Sequence, residues 1–177
     1  MKKRIIALGL LWCLSAVMLQ AARVDTVLVR SAAMNKDVKV VYVLPDKAIG
    51  KQACPVVYLL HGYGGNARSW VQLKPELPQM ADEKGIIFVC PDGKNSWYWD
   101  SPENPAYRYE TFVTSELVKY TDGNYATIPD RKARAISGLS MGGHGALWSA
   151  IRHKDVFGAA GSMSGGVDIR PFPQNWE

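Results

Sequence analysis

Residues 138–142 read Gly138-Leu139-Ser140-Met141-Gly142, and they join a short apolar strand, residues 134–137, to a helix rich in small residues, 141–153. A chain that passes from strand to helix within so few residues must turn sharply. The positions two before and two after the turn then crowd each other's backbone, so both must be glycine or similarly small. Strand before and helix after are the context of a nucleophile elbow, in which the turn lifts the Ser140 hydroxyl off the sheet. The following helix aims its first amides, beginning with Met141, toward charge that develops near Ser140. A plain glycine-rich strand-to-helix turn is the alternative.

The rest of the chain supplies a sheet for that turn. Residues 24–30 and 38–44 alternate apolar with polar, as half-buried strands do. Val56–Leu60 and residues 86–89 are instead apolar throughout, the pattern of central parallel strands covered on both faces by helices. Between them, residues 66–84 read as a helical region broken by Pro75 and Pro78 and ended by Gly85. Residues 107–120 carry Phe112, Val113, Leu117 and Val118 at helical spacing, and residues 156–163 are again strand-like. Strands alternating with helices predict an α/β sheet.

Composition sets the limits. With 177 residues, 47% hydrophobic and 21% charged, the chain fits one ordinary globular domain. Its formal charge of +5 is concentrated at the start, where Lys2, Lys3 and Arg4 precede the apolar run 5–19 and then Ala21 and Ala22. A basic start, a short apolar run and small residues at its end predict a signal peptide over residues 1–22, with a periplasmic or secreted product. The run is shorter than the ~20 residues of a stable membrane span, so no anchor is expected after cleavage. Removing the three cations leaves 18 Lys+Arg against 16 Asp+Glu, and no block of like charge that would bind nucleic acid. Cys54 precedes one apolar strand and Cys90 ends the other. If those strands are parallel neighbours, about five residues at ~3.3 Å each separate the thiols, beyond the ~7 Å limit for a disulfide, so both are expected to be free.

Two further segments carry chemistry. His61-Gly62-Tyr63-Gly64-Gly65 closes the first apolar strand. A serine hydrolase needs two backbone donors aimed at an oxyanion, one after the nucleophile and one from the loop after this strand. These donors are assigned to the amides of Tyr63 and Met141, with His61 and Gly62 as structural neighbours and His61 bracing the loop by hydrogen bonds. The second segment, residues 91–102, follows the next apolar strand and would lie at the carboxyl edge of the sheet, where open α/β folds bind ligands. Its three consecutive aromatics, Trp97, Tyr98 and Trp99, suit a substrate-facing wall for a sugar or aryl group. No metal constellation or cofactor motif appears, and the chemistry needs none.

The 61–65 run, Ser96-Trp97-Tyr98 with Asp100-Ser101-Pro102, Tyr109-Glu110 ahead of a helix, and Gly138-Leu139-Ser140-Met141-Gly142-Gly143 together resemble the esterase D group of α/β-hydrolases. That group includes feruloyl and acetyl-xylan esterases of carbohydrate esterase family 1, tributyrin esterases, S-formylglutathione hydrolases and mycolyltransferases. The resemblance covers residues 24–177. It implies a mostly parallel central sheet flanked by helices over residues 23–177. It also implies a serine carboxylic-ester hydrolase in which Ser140 forms an acyl-enzyme, acting on small-molecule or polysaccharide esters. An exported member fits the plant-polysaccharide esterases better than the cytosolic formylglutathione enzymes.

The same resemblance exposes a gap. In α/β-hydrolases the chain order is Ser, then Asp or Glu, then His. Only 37 residues follow Ser140, and their histidines, His144 and His153, both fall on the helix leaving the elbow. Asp155 and Asp168 are weak candidates for the acid. The expectation is that the last strands, the acid and the base are missing. An acyltransferase or serine peptidase of the same fold, or a catalytically incomplete carbohydrate-binding remnant, are the alternatives.

Overall fold

The structure is a computed structural model and describes residues 22–168 and 170. The expected signal peptide therefore lies outside the described residues, except for Ala22. β1 (Arg23–Ser31) and β2 (Lys36–Leu44) form an antiparallel hairpin. After Pro45 comes a single helical turn, α1 (Asp46–Ile49), and then β3 (Val56–Leu60). The broken helical region resolves into α2 (Ser69–Leu73) and α3 (Leu77–Lys84). Pro75 falls in the break, and Gly85 closes α3 in the left-handed conformation at φ 64°. β4 (Ile87–Pro91) is followed by the loop 92–108 and a continuous helical stretch. That stretch comprises α4 (Tyr109–Thr111), a π-helical turn (Phe112–Glu116) and α5 (Leu117–Asn124). β5 (Arg134–Leu139), α6 (Met141–Arg152) and β6 (Ala159–Met163) complete the described fold.

The strands lie in the order β1-β2-β4-β3-β5-β6. β4, β3, β5 and β6 run parallel, and only the β1–β2 and β2–β4 pairs are antiparallel, so the sheet is mostly parallel as expected. Each face carries its own core. On one face Val40, Tyr42, Tyr58, Leu60, Val89 and Ile136 pack against Phe112, Leu117, Met141 and Ala146 of the α4–α5 stretch and α6. On the other, Val41, Val43, Leu59, Phe88 and Cys90 pack against Trp70, Leu77 and Ala81 of α2 and α3.

β2 departs from the half-buried reading. Val40 to Leu44 are all buried, because β2 lies between β1 and β4 with a core on each side. The strand expected over 156–163 is shorter at its start: Phe157 leaves the sheet and is buried against Tyr58, ring centroids 5.7 Å apart. Cys54 and Cys90 are both buried and unpaired, and Val56 opposite Ile87 sets them at opposite ends of the β3–β4 pair. Burial pushes both thiols up. Among the described residues no helix is long and apolar enough to cross a membrane.

Buried Arg134, the first residue of β5, ties three elements together. Its Nη2 donates to Asp122 Oδ2 of α5 at 2.6 Å, and Nη1 donates to the Val156 carbonyl at 3.1 Å. Asp122 also accepts from Thr127 Oγ1 at 2.7 Å. Removing one partner of such a pair leaves the other charge buried and uncompensated. Asp122→Ala is therefore expected to lower unfolding free energy by about 3 kcal/mol, read from urea denaturation at pH 7.

Candidate active site

Ser140 sits between β5 and α6 at φ 54° and ψ −117°, a conformation that costs a non-glycine residue about 1–3 kcal/mol and must be held by its surroundings. The holding contacts are backbone against backbone. A Cβ on Gly138 would fall 2.2 Å from the Gly142 carbonyl oxygen. A Cβ on Gly142 would fall 2.2 Å from the Leu60 carbonyl oxygen and 2.7 Å from that of His61. The two motif glycines thus lock the elbow onto itself and onto the end of β3. The Ser140 amide donates to the Met163 carbonyl at 2.8 Å, which pins the turn to β6, and the side chain is left exposed.

The loop after β3 closes against this turn. A Cβ on Gly62 would lie 3.6 Å from Ser140 Cβ and 3.4 Å from the Leu139 carbonyl oxygen. The Gly62 carbonyl accepts from His61 Nδ1 at 2.7 Å and from the Gly65 amide at 3.0 Å. Carbonyl and N–H of one trans peptide point in opposite directions, so anchoring Gly62 C=O turns the Tyr63 N–H outward. The ring of His61 is fixed in turn. The Gly93 amide donates to Nε2 at 2.9 Å, so Nε2 is the acceptor and Nδ1 carries the proton it gives to Gly62. Met141 opens α6, and its amide has no intrahelical acceptor.

The aromatic segment divides. Tyr98 does not face a substrate, contrary to expectation. It is fully buried, its hydroxyl donates to the His61 carbonyl at 3.2 Å, and its ring fills the space beside Gly93 and Gly145. A Cβ on Gly93 would come within 2.2 Å of that ring, and one on Gly145 within 2.6 Å of its Cβ. Flat glycine surfaces on both sides made this burial possible, which composition alone does not reveal. Trp97 and Trp99 are partly buried and line the cleft. Burial pushes the Asp92 carboxyl up. Lys94 outweighs burial and holds the group well below the usual carboxylate range, with Lys94 Nζ at 2.8 Å and its amide at 3.0 Å.

The cleft, about 1190 Å³, includes Tyr63, Trp97, Trp99, Asp100, Trp148 and Arg152 in its walls. His144, Trp148 and Arg152 form one stripe of α6 at four-residue spacing, a signal that the sequence itself carries. His144 is wedged between Trp97, Trp99 and Trp148, with ring centroids 5.4, 5.6 and 6.0 Å away. Its Nδ1 donates to the Gly166 carbonyl at 2.9 Å, and burial lowers its pKa. At the far end of α6, buried Glu110 accepts from Trp148 Nε1 and Arg152 Nε at 2.7 Å each and from His153 Nε2 at 2.8 Å. Burial opposes its charge, but these donors outweigh burial and lower its pKa. None of the three histidines hydrogen-bonds Ser140: both nitrogens of His61 are engaged, His153 Nε2 is on Glu110, and His144 is held through Nδ1 by Gly166 while its Nε2 is buried without a partner. Asp155 is exposed, and Asp168 pairs with Arg170 at 2.7 Å, so neither orients a histidine.

Two outcomes are expected. Gly142→Ala forces the elbow off Leu60 and should cost about 3 kcal/mol in urea unfolding. Glu110→Gln should destabilise by about 2 kcal/mol at pH 7, where the carboxylate is ionised. Because folding lowers the Glu110 pKa below its ordinary 4.5, its contribution is complete above that value and is lost as the pH falls through the lower, folded-state value. The gap between wild type and Glu110→Gln should therefore close on acidification below about pH 4.5 in a series of urea titrations.

A family model described as "Putative esterase" matches residues 31–176. An acetyl esterase of Caldicellulosiruptor saccharolyticus is 28% identical over 135 residues, covering 72% of this chain and 50% of that protein. The diacylglycerol acyltransferase/mycolyltransferase Ag85A of Mycobacterium gordonae is 34% identical over 155 residues, 82% of this chain and 43% of that one. A solved ferulic acid esterase superposes with a TM-score of 0.74 at 32% identity, covering 84% of this chain and 62% of its own. The chain spans half or less of the length of the curated relatives it matches. With an elbow serine set against a glycine loop at the carboxyl edge of a mostly parallel sheet, the chain belongs to this esterase family of α/β-hydrolases.

Proposed function

We propose that Ser140 is the nucleophile of a serine carboxylic-ester hydrolase, with the Tyr63 and Met141 amides as oxyanion donors. The observation that carries the reading is the interlock of Gly138, Gly142 and Leu60, which holds an exposed serine at φ 54° beside Gly62. In the reaction Ser140 Oγ bonds to the ester carbonyl carbon, its proton passes to a base other than the three histidines bound elsewhere, and the two amides take the negative charge of the tetrahedral intermediate. The carbon–oxygen bond to the alcohol then breaks, the leaving oxygen takes the proton held by the base, and the acyl-enzyme that remains is hydrolysed by water in the same steps, with the proton returned to Ser140.

Substrates in this reading are acyl or feruloyl esters of plant polysaccharide, or short-chain esters, met outside the cytoplasm after export. The names of the acetyl esterase and ferulic acid esterase relatives support the acyl groups. The cleft supports an extended alcohol portion. Its roughly 1190 Å³ is walled by Trp97, Trp99, Trp148 and Arg152 and by the hydroxyls of Ser101 and Thr111. Similarity to Ag85A favours a second reading, transfer of the acyl group to an alcohol instead of water.

A fluorophosphonate probe should form a covalent adduct at Ser140, and Ser140→Ala should form none and hydrolyse p-nitrophenyl acetate at the background rate. A folded wild-type chain that gives neither adduct nor turnover above that control would sink the reading. Added alcohol should leave acetate as the product if the chain hydrolyses, and a new ester if it transfers.

A further inference from the structure

Loop 92–98 runs beside loop 61–65, and three hydrogen bonds cross between them. Two are the bonds to His61 already described, from the Gly93 amide and the Tyr98 hydroxyl. The third reaches further out, where the Gly64 amide donates to Asn95 Oδ1 at 2.8 Å. It matters because little else holds that end of the loop. Tyr63 is 61% exposed, Gly64 lies at φ 75°, and no atom comes within 4 Å of the place where a Gly64 Cβ would stand. The Gly62 carbonyl is anchored on one side of Tyr63, and on the other side the Asn95 side chain is the tether. Asn95 itself is set by a strained backbone, with Lys94, Trp97 and Tyr98 at φ 50°, 54° and 60°.

The bond also sorts two adjacent amides. Gly64 N–H is occupied by Asn95, so Tyr63 N–H is the one left facing outward. We propose that Asn95 is a positioning residue whose side-chain carbonyl holds the Gly64 amide and thereby aims the Tyr63 amide at an oxyanion formed on Ser140. This rests on the reading of Ser140 as nucleophile. Asn95 touches no reacting atom in this role. It acts through the peptide that it restrains, and a donor misaimed by a fraction of an ångström loses much of its effect on a developing charge.

Amide NMR and fluorophosphonate labelling on the full chain test it, with wild type, Asn95→Ala, Asn95→Asp and Ser140→Ala. In Asn95→Ala the Gly64 amide should exchange with solvent at least about tenfold faster, the Tyr63 amide resonance should move, and Ser140 labelling should slow about tenfold. The urea midpoint should stay unchanged, since Asn95 is exposed. Asn95→Asp keeps an acceptor oxygen and should restore Gly64 protection. Unchanged Gly64 and Tyr63 amides in Asn95→Ala overturn the proposal, and so does a freed Gly64 with Ser140 labelled at the wild-type rate. A wild type that labels no better than Ser140→Ala overturns the nucleophile reading instead. The two amide resonances then still decide whether Asn95 fixes the loop, a lost protection with a moved Tyr63 signal supporting it and unchanged spectra overturning it.

Discussion

The contact on which the rest depends is Gly142 against the carbonyls of Leu60 and His61. At that point the end of β3, the turn after β5 and the start of α6 meet with no side chain between them. Gly138 closes the same knot by lying against Gly142. Backbone packed this closely tolerates no Cβ, so the motif is a steric requirement of one local geometry before it is a chemical signature. Only with that knot closed does Ser140 occupy its strained conformation, because the surrounding contacts over-determine it.

The polar groups around the knot form a chain of orientation. Gly93 chooses the tautomer of His61, His61 anchors the Gly62 carbonyl, and that carbonyl turns the Tyr63 amide outward. Tyr98 fixes the backbone of His61 from behind, in a slot formed by two glycines. The first links are hydrogen bonds and the last is the rigid peptide plane, so the network stabilises the loop while it aims the amide. On the cleft side, α6 presents Trp148 and Arg152, and His144, one turn earlier on the same stripe, packs among the tryptophans. Glu110 ties the far end of that helix to the α4–α5 stretch, while Ser140 holds the near end.

Much of this was legible in the residues. The apolar runs of β3 and β4 announced strands covered on both faces, and the proline break between α2 and α3 fell where expected. The spacing of Gly138, Ser140 and Gly142 located the elbow, because positions that crowd each other across a tight turn call for glycine or a similarly small residue. The burial of β2 was not legible, since its alternating pattern allowed a solvent face until its neighbours in the sheet were known. Tyr98 was misjudged for a related reason. An aromatic in a polar loop looks exposed until Gly145, distant in sequence, supplies the flat surface that receives it. His153 shares a helix with the elbow yet binds Glu110 at the opposite end, because twelve residues of helix carry it roughly 18 Å away.

The sequence by itself determined the α/β alternation, the position of the elbow and the glycine loop that faces it. These rest on local sterics and on hydrophobic period, which neighbouring residues set among themselves. Tertiary structure alone decided which aromatics face the cleft, which nitrogen of His61 carries the proton, and which amide of the 61–65 loop points outward. Those outcomes depend on donors and surfaces brought from Gly93, Asn95 and Gly145, which approach only when β4 pairs with β3 and α6 packs across β3, β5 and β6.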